Sequence, residues 1–590
     1  MTEPEQQPQG RELAVALLFG AANLWGMSLV YFDRDTLASI GDLGLSPLLP
    51  WTFYASLGLL MVGFALTLRS PKRNALLAAL HVLMLIGVLH ATPAILYETP
   101  RYPFSYKHIG VASYVQEHGT VDPMIDAYFN WPGFFALTAF VSETAGVESA
   151  YDMAVWAPVA MNVLLAIGVL AVMYSLGATS AGAWLGVWIF LLANWVGQDY
   201  FAPQAFGYYL HLVMVSIYVA VFGIRTPASQ MRLTGRARAL VLLLLTLCFA
   251  AVVAAHQLTP FMTLTAVIAM LVLGRARAPM LSIVMASLLL LWFAFSAHTY
   301  FAGHLGSLAA QVGRLLDNLS VASELIAVGA SGLVSDERSL VLSFRQWLAL
   351  FVLVLAAAGG VRLLLRRSVP WTGVLLALLP GGLVALQSYG GEILLRVYMF
   401  ALPFLAYFAA AAFVPRLGMT PRRGSAALMT ISTVLLAGGM VFAYYGNESM
   451  NYIDRSEVEA LDALYDTAPR GATVVNQTDN APIRHRRYEQ FEYTHLQALL
   501  ETGAPIETDL QPDAAAALDT LDGLPAEHVY VLLSRSQAAN AKLFGRLPGV
   551  DWEELRTLLE TSEEYEAVFE SPSSVLFRRA AQAQDRAATP

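Results

Sequence analysis

An acid lies between amides and aromatic rings in a short polar segment of this chain, residues 198–204. Its carboxylate, Asp199, can accept the proton of a hydroxyl group, while neighbouring amides and rings can hydrogen-bond to a sugar and stack on it. We therefore predict that Asp199 is a catalytic base. Gln198, Tyr200 and Gln204 are predicted to bind the substrate. The alternative is an interfacial aromatic belt in which Asp199 caps the next helix.

A second polar segment is a tight hairpin at residues 256–260. A histidine at this place can carry a proton or bind a phosphate oxygen, so His256 is a candidate ligand of a donor phosphate. Gln257 beside it is a candidate substrate-binding residue. The alternative is that His256 is a structural hydrogen-bond donor at a helix end.

A third segment, residues 389–396, ends in an acid and a base four residues apart. Glu392 and Arg396 therefore share one helix face. Arg396 stands where the next apolar run begins, so its guanidinium can reach a lipid phosphate at headgroup level. We predict that Arg396 binds the donor phosphate and that Glu392 contacts the substrate. The alternative is an ion pair on the helix surface.

A longer polar segment, residues 97–151, contains a possible interfacial helix at 108–117. It also holds three further candidates for the base, Glu98, Asp122 and Asp126. Lys107 and His108 are candidates for binding the donor phosphate. Tyr128 and Trp131 are candidates for positioning the sugar.

Thirteen apolar runs must position these segments, and most are long enough to cross about 30 Å of hydrocarbon as helices. They are residues 13–30, 48–68, 74–97, 152–175, 181–197, 206–223, 239–255, 259–274, 279–297, 346–361, 371–387, 396–413 and 425–445. Arginine and lysine concentrate in alternate connections, those at residues 69–73, 225–238, 275–277, 362–367 and 416–423. By the positive-inside rule those connections and the N-terminus are cytoplasmic, and the polar segments lie outside.

Composition agrees with a multi-pass membrane protein, since 57% of the residues are hydrophobic and 13% charged. A net charge of −9 without a basic patch gives no indication of nucleic acid binding. Cys248 is the only cysteine, which excludes a disulfide within the chain and a cysteine metal site. The scattered acids form no clear ligand set, so a need for a divalent cation stays open.

Three regions follow from these patterns. Residues 1–12 are predicted to be a cytoplasmic tail, and 13–445 an all-α membrane bundle with outer loops 98–151 and 298–345. The first run is predicted to be an uncleaved anchor. An amphipathic stretch at 305–328 is predicted to lie along the outer interface. From residue 446 onward, charged helical stretches alternate with short β-rich runs at 472–475, 528–533 and 574–577, which predicts an extracytoplasmic α/β domain over 446–590.

This layout resembles the GT-C superfamily of membrane glycosyltransferases, which use polyprenyl-phosphate sugars and include protein O-mannosyltransferases and actinobacterial arabinofuranosyltransferases. The resemblance rests on the interfacial helix, the aromatic-Pro-Gly motif at 128–135, the Glu392/Arg396 loop leading into 402–406 and the outer α/β tail. It implies a plasma-membrane enzyme that transfers a hexose or pentose, with inversion, from a polyprenyl phosphate to a hydroxyl of a cell-envelope glycan, lipid or protein. One departure is that residues 103–108, where the family carries a catalytic acid, contain no carboxylate.

Two other functions stay open. The chain could be a flippase for lipid-linked saccharides, although ion-coupled carriers place ionisable groups at mid-bilayer, where these runs have almost no Asp, Glu, Lys or Arg. It could also be a non-catalytic partner in envelope assembly, which the missing acid would favour.

Overall fold

The computed structural model describes residues 9–69, 74–224, 233–311, 334–385, 392–414, 423–503 and 512–580, most of them helical. Nine helices in the described part are long and apolar enough to cross a membrane. They are Gly10–Val30, Trp51–Arg69, Ala75–Tyr97, Tyr151–Ser175, Pro203–Phe222, Gly235–Ala255, Asp336–Leu365, Ile393–Ala411 and Gly424–Tyr445. A bent pair, Pro279–Phe295 and His298–His304, makes ten if it is one span. Helix is expected here because backbone polar groups in hydrocarbon must be satisfied within the segment.

Each of the thirteen predicted runs contains a helix, but three of these helices are too short to span the bilayer alone. They are Ser180–Ala193, Thr259–Val272 and Trp371–Ala385. A helix of 14 residues rises only about 21 Å. The polar loop after Ser180–Ala193 enters the bundle, since its Asp199 is buried. Another short apolar helix, Gly133–Ala145, occupies part of loop 98–151, where the sequence predicted one helix at 108–117.

The interfacial helix predicted at 108–117 is part of a longer helix, Pro103–His118, which begins with proline at its first turn. A 3-10 turn follows at Ala127–Asn130. Helix His298–Gln311 covers the start of the amphipathic stretch predicted at 305–328, and most of that stretch lies outside the described residues.

Close packing against a neighbouring helix determines the position of helix Ile393–Ala411, which carries Arg396. Helices Asp336–Leu365 and Ile393–Ala411 approach so tightly that a Cβ on Gly359 would lie 1.8 Å from the carbonyl oxygen of Phe408. Only glycine permits this distance. The rotation and depth of Ile393–Ala411 are therefore set by its neighbour.

The C-terminal region is a five-stranded sheet with helices, as the alternating pattern predicted. The strands are β1 Thr473–Asn476, β2 Glu492–His495, β3 Val529–Ser534, β4 Tyr565–Glu570 and β5 Ser574–Arg579. Their order is β2-β1-β3-β5-β4, with β1 parallel to β2 and β3, and β5 antiparallel to β3 and β4. The helices are Glu448–Asn451, Arg455–Thr467, Leu496–Gly503, Ala514–Asp522, Arg535–Phe544 and Trp552–Thr561.

This region packs directly on helix Pro103–His118. A Cβ on Gly110 would lie 1.7 Å from the carbonyl oxygen of Arg484, so the two backbones touch at this point. The contact brings the C-terminal region over the same end of the bundle as the loop that contains Asp199.

Candidate functional site

Asp199 lies in the loop between helices Ser180–Ala193 and Pro203–Phe222 and is only 1% exposed. The next helix starts with Pro203, and its N-cap is Ala202, which makes no side-chain capping bond. Asp199 is therefore not a helix cap, the alternative considered from the sequence. It points into the bundle.

One carboxylate oxygen of Asp199 is fully engaged and the other is not. Oδ2 accepts hydrogen bonds from Nδ2 of Asn162 at 2.5 Å and from the hydroxyl of Tyr444 at 3.0 Å. Nδ1 of His90 lies 3.2 Å from the same oxygen. Oδ1 is buried and has no hydrogen-bond partner among the described residues. Buried polar atoms without a hydrogen-bond partner are rare in proteins, and a catalytic role is one explanation for them.

The surroundings keep Asp199 ionised. Burial by itself raises the pKa of a carboxyl group. Here the hydrogen bond and charge of His90, the charge of Arg101 and the bond from Asn162 together outweigh burial, so the pKa of Asp199 is below its ordinary value. A carboxylate that is buried yet charged can accept a proton at Oδ1.

His90 is placed by an irregular turn inside a membrane helix. It lies in a π-helical turn, Gly87–Ala91, of the type that often occurs at functional sites. Pro93 has no N–H to bond to the carbonyl of Leu89 four residues earlier, and the hydroxyl of Tyr445 donates to that carbonyl at 2.7 Å instead. Nε2 of His90 is buried without a partner in the described structure.

A buried ion pair supports Tyr444 from the other side. Nε of Arg101 donates to Oε1 of Glu448 at 2.8 Å, and Nη2 donates to the carbonyl of Tyr444 at 3.0 Å. The guanidinium also lies 4.1 Å from the centre of the Tyr444 ring. The hydroxyl of Tyr97 donates to Oε2 of Glu448 at 2.7 Å, so both oxygens of this carboxylate are bonded, whereas Nη1 of Arg101 is buried without a partner among the described residues.

Two of the predicted phosphate ligands, Arg396 and His256, lie near each other at the same end of the bundle. Arg396 is 5% exposed, and its Nη2 donates to Oε2 of Glu392 at 2.7 Å. The backbone N–H of Thr259 donates to Nδ1 of His256 at 3.2 Å. Burial first, and then the positive charge of Arg396, lowers the pKa of His256 to about 3. His256 is therefore a neutral group beside a buried guanidinium.

His108 connects this cationic group to the Asp199 loop. Its Nδ1 lies 2.7 Å from the carbonyl of Phe201, and its Nε2 is buried without a partner among the described residues. Burial is the main cause that lowers the pKa of His108 to about 4, so the ring is neutral and Nδ1 donates. Tyr200 stacks on His108 with ring centres 5.8 Å apart and contacts Tyr102 at 5.0 Å.

The predicted substrate-binding residues differ in burial and in location. Gln204 is buried, with Nε2 3.9 Å from the sulfur of Met399. Gln198 and Gln257 are half-buried in the two loops. Trp131 is buried against Tyr300, at 5.1 Å between ring centres.

The other predicted acids are not brought to Asp199. Glu98 is largely exposed and pairs with Arg34. Asp122 is exposed and accepts a hydrogen bond from the backbone N–H of Met124 at 2.9 Å. Asp126 holds a network of its own. Its Oδ2 is 2.9 Å from Nζ of Lys107, 3.0 Å from Nη1 of Arg484 and 3.1 Å from the hydroxyl of Tyr488, and Lys107 lies over the ring of Tyr128 at 5.0 Å.

Sequence reasoning missed His90, Asn162 and Tyr444, which surround Asp199. Counting only Asp, Glu, Lys and Arg inside the apolar runs overlooked them. A histidine in the middle of a membrane span was a usable signal, because polar groups there are costly. In the described part of the chain, no three His, Cys, Asp or Glu side chains converge as a metal-binding group.

No protein-family model matches the chain, and no curated protein sequence matches it. Among solved structures it is similar to an Archaeoglobus fulgidus oligosaccharyltransferase tethered with an acceptor peptide, at 11% identity and a TM-score of 0.48, over 80% of this chain and 71% of that one. It is also similar to the AglB oligosaccharyltransferase of that organism, in complex with an inhibitory peptide and a dolichol-phosphate. The identity is 12% and the TM-score 0.47, over 80% of this chain and 71% of that one. A third similar structure is ArnT from Cupriavidus metallidurans bound to undecaprenyl phosphate. The identity is 11% and the TM-score 0.49, over 86% of this chain and 98% of that one. All three similarities are distant in sequence.

Proposed function

We propose that the chain is a membrane glycosyltransferase. It moves a sugar from a polyprenyl-phosphate donor to a hydroxyl of a glycan, lipid or protein on the outer face. The observation that carries this proposal is the state of Asp199, whose Oδ2 is fixed by surrounding donors while its buried Oδ1 has no partner among the described residues. The buried Arg396, at the same end of the bundle, would supply the positive charge that a leaving phosphate needs.

These positions support the following reaction. The acceptor hydroxyl gives its proton to Oδ1 of Asp199 as its oxygen attacks the anomeric carbon. The bond from that carbon to the phosphate oxygen breaks on the opposite side, which inverts the configuration. The polyprenyl phosphate leaves as an anion, and Arg396 stabilises its charge with planar, paired donors. Nε2 of His108 is available to accept a hydrogen bond from the sugar.

The site is closed around these groups, because Asp199, His90 and Arg396 are all buried. Substrate entry therefore requires a movement of the covering loops. The half-buried rings of Tyr102 and Tyr200 lie next to each other in two of these loops.

The test is transfer of radiolabelled mannose, glucose or arabinose from polyprenyl phosphate to cell-envelope extract by the full chain in nanodiscs. Asp199→Asn is nearly isosteric but cannot take the proton, so the rate should fall about 10²- to 10⁴-fold. Thermal unfolding and donor binding should stay close to the parental values. Asp122→Asn, an exposed acid, is the matched control and should transfer normally.

Other results would identify other functions. Movement of the labelled lipid across the bilayer without transfer would mean a flippase, and donor binding without any transfer would mean a non-catalytic partner. If Asp199→Asn is active while Glu98→Gln or Asp126→Asn is inactive, the base lies in the long outer loop. If all four replacements stay active, the general-base mechanism is wrong.

A further inference from the structure

The end of the bundle opposite Asp199 contains a cavity of about 440 Å³. It is lined by the C-terminal ends of helices Tyr151–Ser175, Asp336–Leu365 and Ile393–Ala411 and by the start of Ser180–Ala193. Ser180–Ala193 and Ile393–Ala411 both run from this end to the candidate active site. At 1.5 Å per residue, roughly 20–30 Å separate the two sites.

Three positive charges line this cavity. They belong to Arg362, Arg366 and Arg367, and no Asp or Glu occurs among the described residues that line it. Nη1 of Arg362 donates to the carbonyl of Ala411 at 3.1 Å and to that of Ala412 at 2.6 Å, which anchors the guanidinium to the neighbouring helix. A cavity lined by three arginines, with no acid among its described lining residues, favours an anionic ligand, and guanidinium groups match phosphate geometry in particular.

The neighbourhood of the arginines indicates that this phosphate belongs to a lipid. Leu176, Tyr407 and Val414 give the cavity apolar walls. Directly beside the arginines, Leu365 is 81% exposed and Trp371 is also exposed, as expected for side chains in contact with acyl chains. A soluble anion would need no such apolar surroundings.

We propose that this cavity binds the phosphate headgroup of an anionic membrane lipid, in the leaflet opposite Asp199. The acyl chains lie along the exposed apolar surface at Leu365 and Trp371, and the arginines surround the phosphate. Basic cavities between membrane helices are suited to such headgroups. The proposal does not depend on glycosyl transfer.

The test is native mass spectrometry of the full chain in detergent, titrated with phosphatidylglycerol or phosphatidylcholine. Phosphatidylglycerol should bind more tightly. Arg366→Gln and Arg367→Gln should each weaken phosphatidylglycerol binding about tenfold, because each removes a charge-assisted hydrogen bond to the phosphate. Arg277→Gln is the matched control, since Arg277 is an exposed arginine at the same end outside the cavity.

Thermal unfolding of every variant establishes that it is folded. Inorganic phosphate, added at millimolar concentration, separates the two possible sources of the anion. Failure of phosphate to displace the lipid supports the proposal, whereas full displacement would make the site one for a free anion. Equal binding of both lipids, or equal loss in Arg277→Gln, would overturn it.

Discussion

Nδ1 of His90 lies 3.2 Å from Oδ2 of Asp199, and both side chains are buried where a membrane helix turns irregularly. The contact joins a span to a loop more than a hundred residues later in the chain. It is also the largest of the influences that lower the pKa of Asp199 against the opposing effect of burial. His90 is therefore a positioning residue that keeps the proposed base ionised.

His90→Phe should move the acid limb of the pH profile of kcat/KM to higher pH. The replacement keeps a ring but removes the hydrogen bond and the charge, so the pKa of Asp199 rises. Since the active form is the ionised one, activity is then lost at a higher pH on acidification. The measurement is transfer rate against pH, in parallel with thermal unfolding.

His81→Phe is the matched control for this experiment. His81 is equally buried in the same span, but its Nδ1 lies 2.8 Å from the carbonyl of Leu77 and not near Asp199. The acid limb should not move in this variant. An unmoved limb in His90→Phe, or the same shift in both variants, would contradict the role given to His90.

Arg396→Lys should weaken binding of undecaprenyl phosphate about tenfold, although the charge is kept. Lysine loses the planar fork that bonds to two phosphate oxygens, and a hydrogen bond to a charged group is worth about 1.5 kcal/mol. Arg396→Ala should weaken binding further. Arg455→Lys, at an exposed position on the C-terminal region, is the control. Unchanged binding in both Arg396 variants would contradict the phosphate-binding role and favour the alternative, an ion pair with Glu392.

Much of the fold could be predicted because its physical basis is local. Apolar runs predict helices, and the β-rich runs at residues 472–475, 528–533 and 574–577 correspond to β1, β3 and β5. The edge strands β2 and β4 were missed because their charged, partly exposed residues do not show the apolar pattern of central strands.

The candidate site was less predictable because long-range packing assembles it. The sequence indicated Asp199 by its local setting, but its contacts with Asn162 and Tyr444 join segments that are far apart in the chain. The contacts of Asp126 were unpredictable for the same reason. Lys107 lies in the same segment of the sequence, but Arg484 comes from the C-terminal region.

Asp126→Asn should destabilise the protein by about 3 kcal/mol, because it leaves the partly buried Lys107 and Arg484 without their carboxylate. Burial raises the pKa of Asp126, but the charge and hydrogen bond of Lys107, the N–H of Tyr128 and the charge of Arg484 outweigh it, and the pKa is lowered. A lowered pKa gives stability that is present above the unfolded value of about 4 and is lost as the pH falls through the folded value.

Thermal or denaturant unfolding against pH therefore checks this role of Asp126. The difference between the parental protein and Asp126→Asn should be largest near neutral pH and narrow on acidification. Asp122→Asn, exposed and four residues earlier, should change stability by less than about 0.5 kcal/mol. A stable but inactive Asp126→Asn would instead favour a catalytic role for this acid.

The region from Asn447 to Pro590 is predicted to lie outside the cytoplasm, because arginine-rich connections concentrate at the opposite end of the bundle. A reporter that is active only in the cytoplasm, fused after Pro590, should stay silent. The single cysteine permits a second test, in which Cys248→Ala is combined with either Glu553→Cys or Arg277→Cys, both at exposed positions. In intact cells a membrane-impermeant maleimide should label the first and not the second. A strong reporter signal together with the reverse labelling would place the C-terminal region, and with it the candidate active site, on the cytoplasmic side.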